Sequence, residues 1–244
     1  MIAFFAKKTN TRFLSVSLGL SAGVMIYVSM IEIFPEAHSS LSLHYNSKTA
    51  MIITVIAFFA GMILIGLIDS FIPSEQNPHE AKSVEDMDSA NIAKNKLMRT
   101  GVYTALAVGI HNFPEGLATF VSALKDPKLA IPIVVAIAIH NIPEGIAVSV
   151  PIYYATGSRK KALVYSFVSG LSEPIGAVIG YALLMPFMNE VVFGILFASV
   201  AGIMVFISLD ELLPAAQEYG EHHSAIYGLI AGMAIMAVSL ILFM

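Results

Sequence analysis

Seven apolar runs, each long enough to cross a bilayer, decide what this chain can fold into. They cover residues 13–35, 50–72, 101–124, 129–155, 161–186, 191–214 and 224–244. A hydrocarbon core about 30 Å thick takes roughly 20 apolar residues of helix. In lipid only helices and closed barrels satisfy every backbone group, and runs of this length suit helices. The composition agrees: 57% of the residues are apolar and 12% charged, against about 25% charged in soluble domains. The expected fold class is all-α, a polytopic membrane helix bundle in which residues 1–244 form a single transmembrane domain. One hydrophilic stretch, residues 73–97, is rich in Ser, Asn, Glu and Asp and reads as a mobile loop.

Lysine and arginine orient the bundle, because basic loops stay in the cytoplasm. With the N-terminus inside, Lys7, Lys8, Arg12, Lys82, Lys94, Lys96, Arg99, Arg159, Lys160 and Lys161 fall on the cytoplasmic side. Lys48, Lys125 and Lys128 fall outside. The bias supports seven crossings of the cell membrane, a cytoplasmic 73–97 loop and an extracytoplasmic C-terminus. Met1 to Ala6 is mostly apolar and is followed by Lys7 and Lys8. A secretory signal carries its charges first, so this order resembles the cytoplasmic end of an earlier membrane helix. The net charge of −4 carries no nucleic-acid signal, and the absence of cysteine excludes disulfides and thiolate metal ligation.

Ionisable residues inside membrane spans are costly and mark function. The third run contains His111-Asn112-Phe113-Pro114-Glu115-Gly116, and the fourth repeats it 29 residues later as His140-Asn141-Ile142-Pro143-Glu144-Gly145. His and Glu four apart share a helix face, and Asn and Glu three apart share it too. Pro114 and Pro143 each remove a helix hydrogen bond and crowd the carbonyl four residues back, which frees carbonyls at Ile110 and Ile139 as further ligands. Gly116 and Gly145 admit close helix approach. In the fifth run Ser172-Glu173-Pro174 adds another intramembrane carboxylate beside a proline. Carboxylates gathered without a cation repel one another, and a divalent ion removes the conflict. Nitrogen and oxygen donors suit Zn²⁺, Fe²⁺, Mn²⁺ or Co²⁺ without choosing among them. A single buried His or Glu commonly just hydrogen-bonds between helices. A duplicated motif joined by a third Glu-Pro is a metal site.

A second repeat pairs residues 22–35 with residues 201–214, sharing Gly, Met, Ser, Glu and Pro at fixed offsets. These segments lie in the first and sixth runs, which cross in opposite directions. The hexapeptide runs are opposed in the same way. Inverted repeats of this kind build transporters whose substrate binds near the midplane. Glu32, Glu36 and His38 lie near the outer end of the first run; Asp210, Glu211, His222 and His223 lie near the inner end of the sixth or beyond it. They form candidate entrance and exit relays.

On these motifs the sequence resembles the ZIP family of zinc- and iron-regulated transporter-like proteins, in its bacterial zinc-uptake branch. The resemblance covers the chain from Arg12 on. It implies two adjacent metal sites, one using His111, Glu115, His140 and Glu144, the other Asn112, Glu115, Asn141, Glu144 and Glu173. Glu115 and Glu144 would bridge them. It also implies uptake of Zn²⁺, and often of Fe²⁺, Mn²⁺ or Co²⁺, toward the cytoplasm. The family has eight spans in a three-two-three inverted arrangement. By that resemblance the span without a counterpart here is the first, with Met1 to Ala6 as its tail and the Glu173 span as its inverted partner. An intramembrane zinc metallohydrolase would need a His-Glu-x-x-His helix, which the sequence lacks. A metal sensor without transport would need an effector domain, for which the 73–97 loop is too short. The expected partners are divalent ions and lipid, not nucleic acid. Gly176 and Gly180, four apart, permit a homodimer.

Overall fold

The computed structural model describes residues 11–70, 92–125, 127–219 and 222–243. Among them every regular element is helical. The helices are α1 (Thr11–Val28), α2 (Phe34–Ser42), α3 (Ser47–Ser70), α4 (Ile92–Lys125) and α5 (Pro127–Thr156). They continue as α6 (Arg159–Gly170), α7 (Ser172–Leu184), α8 (Glu190–Ile207), α9 (Leu213–Tyr219) and α10 (His222–Phe243). The fold is an all-α helix bundle. Of the 73–97 loop, residues up to 91 lie outside the described residues, as do residues 1–10. From Ile92 the chain is already helical. Ala, Lys, Leu, Met and Arg there are strong helix formers, so α4 starts about two turns before its apolar run.

Among the described residues five stretches are long and apolar enough to cross a membrane: Ser15–Ser42, Ser47–Ser70, Arg159–Phe187, Glu190–Gln217 and His223–Leu242. Helices α4 and α5, at 34 and 30 residues, have the length to cross as well and carry the polar hexapeptides. Large apolar side chains cover the outside, among them Ile56, Phe59 and Ile63 on α3, Phe167 and Val178 on α6 and α7, and Ile230 and Ile241 on α10. The interior is equally apolar. Helix α8 is its axis, with Phe197, Ala198, Ala201, Met204 and Ile207 buried against Ala22, Met25 and Val28 of α1.

The two related segments prove alike in backbone as well as in sequence. A single π-helical turn, Ser29–Ile33, joins α1 to α2, and another, Ser208–Leu212, joins α8 to α9. In each the turn starts on Ser, holds a Glu three residues on, and ends two residues before Pro35 or Pro214. The cause is the proline, which offers no N–H to the carbonyl four back and crowds it. The wider turn sends the Phe34 and Leu213 N–H groups five residues back, to the carbonyls of Ser29 and Ser208.

The packing repeats too. A Cβ on Gly23 of α1 would lie 2.0 Å from the Leu229 carbonyl oxygen of α10, and one on Gly202 of α8 would lie 1.9 Å from that of Phe58 on α3. Reciprocally, Gly232 of α10 faces the Leu20 carbonyl at 2.1 Å and Gly61 of α3 the Ser199 carbonyl at 2.0 Å. Residues 20, 23, 58 and 61 thus map onto 199, 202, 229 and 232. The pair α1–α10 is matched by the pair α8–α3, and these flank a central α4–α5 pair.

The fifth apolar run is not one helix. Helix α6 ends at Gly170, Leu171 forms a turn, and α7 begins at Ser172. Pro174 cannot donate to the Gly170 carbonyl, and the Ser172 hydroxyl donates instead to the Ser169 carbonyl at 2.6 Å. The glycines thought available for a homodimer face inward: Gly176 meets the Phe113 carbonyl of α4 and Gly180 meets Leu117 and Phe120. That pair packs within the bundle, against α4. At the end of α5, Gly157 takes a left-handed φ of 64° and its N–H closes on the Tyr153 carbonyl at 2.7 Å. Gly157→Ala should cost about 1 kcal/mol, read as a thermal midpoint a few degrees lower with zinc affinity unchanged.

Candidate metal centre

The three motif-bearing spans pack together, α4 against both α5 and α7. Helix α4 presents Asn112 and Glu115, which are 2% and 0% exposed, and α5 presents Glu144 at 4%. Asn141 and Glu173 are partly buried. Full burial of carboxylates in so apolar a bundle is unfavourable unless cations or donors compensate.

One cross-helix hydrogen bond and one close polar approach organise the centre. The Asn112 amide of α4 lies 3.1 Å from Glu144 Oε2 of α5 and 3.2 Å from the Val108 carbonyl, and it donates to both only with its nitrogen turned toward them. Asn141 Nδ2 donates to Glu173 Oε2 at 2.8 Å, joining α5 to α7. Asn141 Oδ1 is buried and accepts no hydrogen bond among the described residues. Glu173 is brought in by Gly116, where an added Cβ would lie 1.8 Å from the Glu173 carbonyl oxygen. The break before α7 puts Glu173 in the first turn of a helix, where the helix dipole favours a negative side chain. Gly145 makes a looser contact, its carbonyl accepting from the Ser166 hydroxyl of α6 at 3.2 Å.

Pro114 and Pro143 do less than their chemistry suggested. Helices α4 and α5 run through them as α-helix; the π turns and the helix break fall at Pro35, Pro214 and Pro174. His111 and His140 sit on these helices one turn before Glu115 and Glu144, but their side chains lie outside the described residues. Among the described residues, no three His, Asp or Glu side chains are gathered as a metal would need.

The relay residues are spread over helix ends. Glu32 lies in the first π turn and is partly buried, Glu36 lies on α2, and the His38 ring is 3.4 Å from the Ser47 carbonyl. In the second π turn Glu211 is 4% exposed whereas Asp210 faces outward. His223 is exposed beside Tyr227, and the side chain of His222 lies outside the described residues. Two polar groups escaped the sequence reading. Thr119 Oγ1 is buried one turn beyond Glu115, yet the matching residue of the second motif helix is Val148, so the duplication gave no cue. Ser40 donates to the carbonyl and the carboxylate of Glu190 at the start of α8. Nothing in a lone serine 150 residues away announces that.

An all-α bundle with an internally repeated helix pair, lipid-type outer faces and buried carboxylates between its central helices is a multi-pass membrane protein built to handle cations. The chain belongs to the ZIP zinc transporter family, whose model matches residues 69–240. It is 67% identical over 243 residues to the zinc transporter ZupT of Streptococcus mutans, covering 100% of this chain and 91% of that protein. ZupT of Clostridium perfringens is 65% identical over 255 residues, covering 99% and 90%. ZupT of Oceanobacillus iheyensis is 63% identical over 244 residues, covering 99% and 91%. This is a family of transporters, not enzymes, which sets aside the intramembrane metallohydrolase.

Proposed function

We propose that this chain carries Zn²⁺ across the cell membrane into the cytoplasm through two adjacent sites between α4, α5 and α7. The observation that carries the reading is that Asn141 of α5 donates to Glu173 of α7, while α4, packed against both helices, carries the buried Asn112 and Glu115. His111, Glu115, His140 and Glu144 form one site; Asn112, Glu115, Asn141, Glu144 and Glu173 form the other. Bridging carboxylates let two cations sit close together without full repulsion. The ion arrives hydrated and exchanges water for these oxygens and imidazoles. The same donors accept Fe²⁺, Mn²⁺ and Co²⁺, so these ions should compete. The basic-residue bias supports a cytoplasmic N-terminus and an extracytoplasmic C-terminus.

Zinc binding to purified protein tests the two-ion arrangement. The parent should bind two ions per chain at saturation and Glu173→Ala one; a parent that binds only one contradicts it. The relays have their own test. Glu32, Glu36 and His38 gather ions at the outer end, and Asp210, Glu211, His222 and His223 receive them at the inner end. Asp210→Asn with Glu211→Gln should slow uptake about 10-fold, the scale of removing an outer partner of a metal site, while equilibrium stoichiometry stays at the parent value. A loss of bound zinc in that variant would move those residues into the primary site.

A further inference from the structure

Each π turn leaves one backbone carbonyl without a helical donor. The N–H four residues beyond that carbonyl is taken, since Phe34 closes on Ser29 and Leu213 closes on Ser208. The N–H five residues beyond does not exist, because Pro35 and Pro214 stand there. No α or π hydrogen bond can therefore reach the carbonyl of Met30 or of Leu209. Among the described residues no N–H from another helix closes on either. Both lie deep in their spans. At about 1.5 Å per residue, Met30 is about 18 Å from the nearer end of Ser15–Ser42, and Leu209 about 12 Å from that of Glu190–Gln217.

The faces that carry these carbonyls are open. Met30 is 43% exposed and Leu209 50%, and Ile31, Asp210 and both prolines are exposed beside them. A bare carbonyl against hydrocarbon is heavily penalised; irregular backbone at such depth persists where protein covers it or where it lines a water-filled cavity. A carboxylate on an exposed face in the bilayer, as Asp210 would be, points the same way. Helix α3 shows the contrast. Its Ile56 and Ile63 are more exposed still, but they stand on unbroken α-helix with no polar group to satisfy. We propose that the π turns line water-filled passages and that, in the second, the Leu209 carbonyl and the Asp210 carboxylate hold a divalent cation in transit. This station rests on the reading that the chain carries such cations.

Interrupted helices of transporters turn free carbonyls toward their ions in this way. A carbonyl is a neutral oxygen ligand that suits hard, hydrated cations and holds zinc less firmly than imidazole does. The ion would exchange a water or two here and keep the rest of its shell, and passage requires a hold that loose. Proline makes the ligand permanent, because it has no N–H with which to cap the carbonyl. The repeat also separates the two turns. Ile31 occupies in the first the place that Asp210 occupies in the second, so the first passes the ion and the second detains it.

The chain has no cysteine, so single cysteines report their surroundings without background. With the full chain in lipid nanodiscs, Met30→Cys and Leu209→Cys should react with a charged methanethiosulfonate more than about 10-fold faster than Ile56→Cys and Ile63→Cys, because the reactive thiolate forms in water. Equal rates would put lipid or protein against the π turns and overturn the passages. The station has a readout in the unaltered protein. Leu209-Asp210 is the only Leu-Asp pair in the sequence, so ¹³C-carbonyl leucine with ¹⁵N-aspartate isolates the Leu209 carbonyl. Zinc in millimolar excess, beyond the filling of tighter sites, should shift that signal. In Pro214→Ala the new N–H lets the helix close on the carbonyl. Its signal should start displaced and hardly respond to zinc, while the variant unfolds no earlier than the parent. A parent signal unmoved by zinc that binds elsewhere on the chain overturns the station, as does an equal shift in Pro214→Ala. Zinc that binds nowhere on the chain removes the transport reading itself, and the cysteine rates still decide whether the passages hold water.

Discussion

Zinc uptake by Glu115→Ala should fall more than about 100-fold with the protein still assembled in the membrane. Even an outer partner of a metal ligand is worth about 10–100-fold in affinity, and Glu115 is proposed as a ligand of both ions. The variant should assemble because alanine leaves in place the apolar core and the glycine-mediated helix approaches that hold the bundle together. The sign therefore separates the two roles: loss of function with retained stability. A variant that vanished from the membrane would make Glu115 a structural group. One that transported normally would place the ion path elsewhere.

Gly116→Val should prevent assembly of the centre altogether. The Cβ alone would lie 1.8 Å from the Glu173 carbonyl oxygen and 2.7 Å from its carbon, and these are backbone atoms that no rotamer can move. Helices α4 and α7 would have to separate, opening the Gly176 contact with Phe113 and carrying Glu173 away from Asn141. Overpacking of this kind costs about 3 kcal/mol or more, a large part of a stability of about 5–15 kcal/mol. Detergent-solubilised Gly116→Val should unfold well below the parent, and zinc should not rescue it. Gly170→Val is the matched control. It stands at the break in the span that carries Glu173, where an added Cβ meets nothing within 4 Å. Equal stability of the two variants would show that the α4–α7 approach does not set the site.

The helices and the candidate site residues stood out in the sequence for one reason. Lipid forces apolar runs to be helices, and it makes each polar residue inside them an exception that shows. The duplicated hexapeptide needed no structure to stand out. Backbone irregularity was less legible. Prolines in apolar runs with nearby acids look alike in sequence, yet Pro114 and Pro143 are carried within α-helix, Pro35 and Pro214 follow π turns, and Pro174 follows a helix break. The difference lies in whether the chain takes in an extra residue to relieve the crowded carbonyl, which local composition does not encode. Pair geometry was not legible either. That Asn141 bonds Glu173 and not Glu115 depends on the Gly116–Glu173 approach between helices far apart in the chain. Gly176 and Gly180 illustrate the same limit, since a small-residue pair says that something packs closely but not what.

Uptake of radioactive zinc into metal-starved cells making this 244-residue chain is the most direct test, set beside the Glu115→Ala/Glu144→Ala double variant at equal membrane abundance. Accumulation by the parent and none by the double variant is the expected result, and it would place the ion path through the paired motifs of α4 and α5. Equal accumulation by both would contradict the account.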